Sequence, residues 1–354
     1  RGEVRLVDLG REERVQEAVT AYLRGVAPIS GAGLRAGRDG AAEAARVSRD
    51  QARVWVDPLM PYIRDARRWV VSPSSLSWLV PWSSLVLEDG SLVVERYAIS
   101  YLPSGRHVCD RPVPIVGVRP PLIVAAPDYE LGMPPAKRGR GPFPPLPETA
   151  DEARAIAPYL EQYAQAAPRV VLGSEAREGV LRGRTPPRVL VASTHGYCGP
   201  LPDVKLAAGG PMLECGLALA GANVRRGEPE DDGIATGLEI LATDFRGTDL
   251  VVLSACQTSY GKFQTSQGLV GLNLAFHLAG ARTVLGALWP VPVDETTALT
   301  AGFFAELAQG TPKDEALRRS QVKLVRQLRD RSGTAHPTLW AAFLLTGDAT
   351  PVRK

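Results

Sequence analysis

Cysteine is scarce in this chain, with four in 354 residues, and Cys109, Cys198, Cys215 and Cys256 include no C-x-x-C pair. That scarcity excludes a disulfide-stapled scaffold and fits a reducing compartment, so a cytoplasmic location is expected. It also leaves no zinc pattern, because Cys198 follows His195 by three residues but no second pair of suitable spacing comes after it. An excess of charge of one sign is missing too. Lys and Arg number 41 against 38 Asp and Glu, a net charge of +3, so no general attraction to nucleic acid or to an anionic membrane follows. Long apolar runs are absent: the most apolar long segment, Gly268 to Trp289, contains Asn273, His277 and Arg282 and breaks at Gly280, which reads as a helix and a strand rather than a membrane span. No secretory signal is expected, and with Arg1 first a piece of a longer polypeptide, or a processed one, is the expectation. Gly31, Gly33 and Gly37 lack the preceding strand and the spacing of a dinucleotide loop. Neither a cofactor nor a metal is expected.

What the chain does have is 45% hydrophobic residues, enough for one large α/β unit or two modest domains. Up to residue 118 it offers an amphipathic helix around "REERVQEAVTAYLRGV", a glycine-rich basic loop, a helix through "DPLMPYIRDA", and "RRWVVSPSSLSWLVPWSSL", read as a strand, a turn and a short strand. From Pro120 onward strands alternate with helices. "PLIVAAP", "RVVLG", "RVLVAST", "DLVVLSA", "TVLGALW" and "AAFLLTG" are the strands, and the longer polar-apolar stretches between them are helices, including Thr149 to Ala167 and Gly268 to Ala279. Such alternation predicts a mainly parallel sheet with helices on both faces. The loop after the first of these strands, "ELGMPPAKRGRGPFPPLPE", is expected to be extended, exposed and mobile.

Two strands carry chemistry at their ends. "RVLVASTHG" is a buried run delivering His195, and "TDLVVLSAC" is a second one delivering Cys256, 61 residues later. Open α/β sheets place their chemistry at the C-terminal edge of the strands, where neighbouring parallel strands end together. His195 can then accept the proton of the Cys256 thiol, and the thiolate can attack a carbonyl carbon. Gly196 has no Cβ and lets a substrate carbonyl approach its N–H. With the N–H of Cys256 it would form an oxyanion hole, each donor contributing roughly 3 kcal/mol. His277 and His336 read as structural, and Cys215 and Cys109 as plain core or surface residues.

The motifs "THG" and "SAC", each closing a strand, resemble the caspase-like cysteine peptidases. "PWSSL", "DGSLVVERYAISYLPS", "LVVLSACQTSYG", "LAGARTVLGALWPV" and "HPTLWAAFLLTGD", from about Val71 to Asp348, resemble the CHAT branch of that clan, and "VRLVDLG" looks like the start of such a module. The segment "LWPVPVDE" departs from the usual form by about one added residue. The resemblance implies a fold similar to that of separase. A smaller degenerate, pseudo-protease-like α/β half would occupy 1–118, and an active caspase-like half 119–354, with a mobile Pro-rich loop at 129–147. It further implies an endopeptidase that cuts a partner protein, such as a gasdermin or another effector, in a bacterial defence or signalling system. An upstream sensor or helical-repeat domain would control it, with no direct nucleic-acid or membrane partner.

By the same resemblance, Ser254, two residues before the nucleophile, lines the primary pocket. Metacaspases that prefer basic residues carry an acid there and caspases carry a glutamine beside an arginine, so neutral Ser254 supplies no charge. The other wall would be "ALWPVPVDE", with Trp289 over the next pocket and Asp294 and Glu295 able to meet an arginine. A basic residue before the cut is expected, with a medium apolar residue as rival. Asp294 and Glu295 also read as first-turn acids of a following helix, and Trp289 also as core. Lys137, Arg138 and Arg140 are candidate self-cleavage sites. Two other classes stay open: a catalytically silent interaction module of the same fold, and an amidotransferase or acyltransferase, although "LSACQT" lacks the glycines of a nucleophile elbow.

Overall fold

A computed structural model describes residues 3–26, 38–106, 119–139, 141–183, 185–198, 215–224, 231–254 and 267–349. Cys109, Arg140 and Cys256, and with them the expected boundary at 118, lie outside the described residues. The helices are α1 (Glu12–Val26), α2 (Arg38–Trp55), α3 (Met60–Ile63), α4 (Val93–Arg96), α5 (Thr149–Ala164), α6 (Gly237–Ala242), α7 (Gln267–Leu278), α8 (Val293–Ala308) and α9 (Lys313–Ser332). The strands are β1 (Arg68–Val71), β2 (Ala98–Tyr101), β3 (Leu122–Pro127), β4 (Arg169–Gly173), β5 (Val189–Ser193), β6 (Gly196–Cys198), β7 (Cys215–Ala218), β8 (Ile234–Thr236), β9 (Leu250–Leu253), β10 (Thr283–Ala287) and β11 (Phe343–Gly347).

Eight of these strands form one sheet in the order β1-β2-β11-β10-β9-β5-β3-β4. All neighbours in it are parallel except β10 and β11. Because side chains alternate across a strand, the apolar runs serve two cores at once. Ile123, Val191, Val252 and Leu285 face α5, α8 and α9, meeting Ile156, Phe303 and Val325. Val124, Leu190, Val251 and Val284 face the other way, toward Phe276 of α7 and Ile240 of α6. This two-sided burial is why the central strands read as unbroken hydrophobic runs rather than alternating ones. The expected α/β class, a mainly parallel sheet with helices on both faces, is the one found.

The N-terminal segment is woven into the same sheet. Its strands β1 and β2 extend the edge beyond β11, through Tyr101 opposite Thr346. Between them "PSSLSWLVPWSSL" makes two 3-10 turns, Ser75–Leu79 and Trp82–Ser84, in place of the expected short strand; Pro73 and Pro81 each precede one and interrupt any ladder. No helix among the described residues is long and apolar enough to cross a membrane.

A buried ionic knot pins the centre of the sheet. Asp249, at the start of β9, accepts from Lys313 Nζ at 2.9 Å, and both side chains are about fully buried. Tyr163 OH donates to the other Asp249 oxygen at 2.5 Å, and Lys313 reaches Thr283 Oγ1 at 3.1 Å. The ammonium therefore joins α9 to β9 and β10 where no solvent screens it.

Candidate active site

β5 ends at Ser193, and the chain then leaves the large sheet for a small antiparallel one of order β6-β7-β8. His195 is the joint between the two. Its backbone is held by a closed chain of hydrogen bonds. The Thr194 hydroxyl has one hydrogen, which it gives to the Ala218 carbonyl, so in the 2.8 Å contact with Tyr129 it must accept from the phenol. The Tyr129 oxygen in turn accepts the His195 N–H at 3.3 Å, and the Ala218 N–H donates back to the His195 carbonyl at 2.8 Å. Burial pushes the Tyr129 phenol up to about 12, which keeps it a donor at neutral pH. Tyr129 arrives there because β3 ends in a bulge: the register with β4 shifts between Ala125 and Pro127, and Ala126 takes φ +42°.

The imidazole is fixed as tightly as its backbone. Nε2 lies 2.7 Å from the carbonyl oxygen of Pro144. A carbonyl can only accept, so Nε2 carries the hydrogen, and in the neutral ring Nδ1 keeps its lone pair. No described residue makes a hydrogen bond to Nδ1. The ring packs between Tyr129 at 5.1 Å and Phe143 at 5.7 Å between centroids and is 1% exposed. Burial moves its pKa below 6.5, against the opposing pull of the Pro144 carbonyl. Burial thus favours the neutral form of His195, in the tautomer with its hydrogen on Nε2. Replacing Phe143 by alanine should admit water and raise this pKa toward 6.5, read from the ring-proton titration by NMR, with His195→Gln assigning the signal. An unchanged titration would mean that Phe143 is not what desolvates the ring.

The proline-rich loop thus has two parts. Pro134 to Gly139 are on the surface, as expected, and Lys137 and Arg138 are exposed there. Phe143, by contrast, is buried against Tyr129 and Tyr197, and it is not exposed as the composition suggested. Asn223 clamps it, its Oδ1 accepting the Phe143 N–H at 3.0 Å and its Nδ2 donating to the Phe143 carbonyl at 2.8 Å. That clamp outweighs the extended preference of the flanking prolines and brings the Pro144 carbonyl onto the histidine.

The neighbouring strand end is aligned with His195. β5 and β9 are parallel and in register, with Ala192 opposite Leu253, and the Ser254 N–H donates to the Ala192 carbonyl at 3.1 Å. His195 comes three residues after Ala192 and Cys256 three after Leu253. Gly196 is buried as the first residue of β6. Ser254 is also buried, and its hydroxyl bonds to Glu152 Oε1, which the Thr300 hydroxyl meets at 2.9 Å. Burial drives the Glu152 carboxyl above the ordinary carboxylate range, opposed by the hydroxyls of Ser254, Thr300 and Ser193.

The other expected pocket residues follow β10, whose end lies beside that of β9, with Gly286 opposite Leu253. Trp289 is 1% exposed and donates its indole N–H to the Thr338 carbonyl at 3.0 Å. Asp294 and Glu295 lie in the first turn of α8, where acids favour the helix dipole; Asp294 is exposed, and Glu295 pairs with Arg331 at 2.8 Å. His277 bridges the Ala281 carbonyl and the Thr346 hydroxyl, and His336 Nδ1 accepts the Thr338 N–H, both as structural residues.

Tyr129, Pro144 and Glu152 were not singled out by the sequence reading. Glu152 did leave a trace: it falls on the buried stripe of α5 with Thr149, Ala153 and Ile156, and an acid on such a stripe needs a partner or a function. The Pro144 carbonyl leaves none, because any residue supplies one.

Comparison with known proteins gives a consistent picture. The CHAT domain profile matches residues 46–348. Tetratricopeptide repeat protein 28 of Mus musculus is 38% identical over 98 residues, 28% of this chain and 4% of that protein, and its Homo sapiens counterpart is 36% identical over the same length. The chain thus spans about 4% of the length of these relatives. Among solved structures, the Arg specific cysteine proteinase gingipain R superposes with a TM-score of 0.51 at 9% identity, over 86% of this chain and 71% of that one. The Saccharomyces cerevisiae separase–securin complex superposes with a TM-score of 0.46 at 15% identity, over 98% and 23%. The fold is that of the caspase-like cysteine peptidases, and the profile match over most of its length makes this chain a member of the CHAT domain family.

Proposed function

We propose that the chain is a cysteine endopeptidase acting through Cys256 and His195. The observation that carries this reading is the register of β5 with β9, which sends two strand ends to one edge with His195 and Cys256 each three residues beyond a paired position. In the proposed reaction the Nδ1 of neutral His195 takes the thiol proton, and the thiolate adds to the scissile carbonyl. The N–H groups of Gly196 and Cys256 receive the oxyanion. The imidazolium then protonates the leaving amine, and water attacks the acyl-enzyme with His195 as base. The Pro144 carbonyl supports both steps, since it keeps one tautomer and stabilises the cationic ring.

The substrate is a partner protein, an effector such as a gasdermin in a bacterial defence or signalling setting, and an upstream sensor controls the cut from a cytoplasmic complex. The gingipain match and the likeness to a tetratricopeptide repeat protein support the protease and the sensor parts only as analogies. A basic residue before the cut is part of the proposal, with exposed Asp294 as the carboxylate to test, since Glu295 is already engaged by Arg331. Self-cleavage after Lys137, Arg138 or Arg140 is the accompanying expectation.

One observation favours a second reading. His195 is covered by Phe143, as it would be in a catalytically silent module. Cys256→Ala separates the two: proteolysis of the partner and nicking of the 137–140 loop should both vanish while the fold persists, because a small residue replaces a small one. Cleavage that continues in the folded variant would remove Cys256 from the chemistry.

A further inference from the structure

The small sheet that continues from His195 sets two cysteines against each other. β6 and β7 run antiparallel with Gly196 opposite Leu217, Tyr197 opposite Gly216 and Cys198 opposite Cys215. One step earlier on the same diagonal, the Ala218 N–H donates to the directly opposed His195 carbonyl at 2.8 Å. Residues 195 and 218 are therefore of the hydrogen-bonded kind, and alternation makes 197 and 216 the next such pair. Cys198 and Cys215 fall on the intervening, non-hydrogen-bonded kind, in which opposed Cα atoms stand roughly 4.5 Å apart. A disulfide spans Cα separations of roughly 4.4 to 6.8 Å. Directly opposite residues of an antiparallel pair also carry their Cβ atoms on the same face, roughly 4.5 to 5.5 Å apart and closer in non-hydrogen-bonded pairs. Cys215 is a free thiol, and it is buried.

We propose that Cys198 and Cys215 form an oxidisable dithiol that closes to a cross-strand disulfide under a hydroperoxide. One thiol takes oxygen from the peroxide and becomes a sulfenic acid, with release of water or alcohol. The second thiol, as thiolate, attacks that sulfur, the S–S bond forms and the hydroxyl leaves as water. Two electrons and two hydrogens pass from the thiols to the peroxide in total. The link ties β6, the strand carrying Gly196, to β7. It rests on strand register alone and stands or falls independently of the peptidase reading.

The test is non-reducing peptide mapping of the folded chain after brief treatment with hydrogen peroxide, in the natural sequence and in Cys256→Ala. One linked pair of peptides joining Cys198 to Cys215, lighter than the two thiol peptides by two hydrogen atoms and separated by dithiothreitol, is expected in both. Cys198→Ser should abolish it. Folded, peroxide-treated protein in which both cysteines still take up iodoacetamide on unfolding would overturn the proposal, and so would a link from either one to Cys109 or Cys256.

Discussion

His195→Ala protein should cleave its substrate about 10²- to 10⁴-fold more slowly than the natural chain, the range over which a positioned acid–base group contributes. The loss should fall on turnover rather than on KM, because in the proposed reaction the ring acts on the thiol proton and the leaving amine. Activity of the natural chain should decline toward acid with a midpoint below pH 6.5. Burial lowers the pKa of the ring, so the neutral base persists to lower pH than in a free imidazole. Steady-state rates from pH 5 to 8 on one peptide would measure both effects. A variant within a factor of two of the natural rate would contradict the role given to His195.

The largest loss of stability is expected at Lys313. Replacing it with alanine leaves the Asp249 carboxylate buried at the start of β9 without its main counter-ion; Arg282 stands 3.9 Å away and only partly offsets the loss. Breaking one side of a buried pair costs about 3 to 5 kcal/mol. Urea unfolding should show that fall for Lys313→Ala, and a smaller fall when Asp249→Asn is added, since the stranded charge is then gone. Equal stability of Lys313→Ala and the natural chain would mean that the knot is not what holds α9 to the sheet.

How much of this was legible beforehand depends on the range of the forces involved. β3, β5, β9, β10 and β11 announce themselves because each is an apolar run buried on two faces. β2 is four residues, "AISY", with no run to notice. β6, β7 and β8 are three or four residues each, and β6 and β7 contain glycine. α2 begins inside the glycine-rich stretch, and its buried face, Ala44, Val47, Ser48, Gln51, Ala52 and Trp55, mixes polar residues with apolar ones, so it does not announce itself as an apolar run. At the site, His195 could be found by its place at a strand end. The Pro144 carbonyl and the Tyr129 phenol reach it from 51 and 66 residues away, and backbone groups and tertiary contacts at that range leave no mark in local composition. Trp289 carries both a pocket and a core reading in the sequence; its burial, and its hydrogen bond to the Thr338 carbonyl 49 positions away, are tertiary features that local composition does not show.

The central claim is that Cys256 is a nucleophile activated by His195. The direct measurement is the site and rate of labelling by a peptidyl acyloxymethyl ketone, in the protein alone and with the proposed sensor, mapped by mass spectrometry across all four cysteines. The account predicts one label, on Cys256, with a rate that falls by at least an order of magnitude in His195→Ala. A label on Cys109, Cys198 or Cys215 instead, or labelling of Cys256 at the same rate with and without His195, would contradict it.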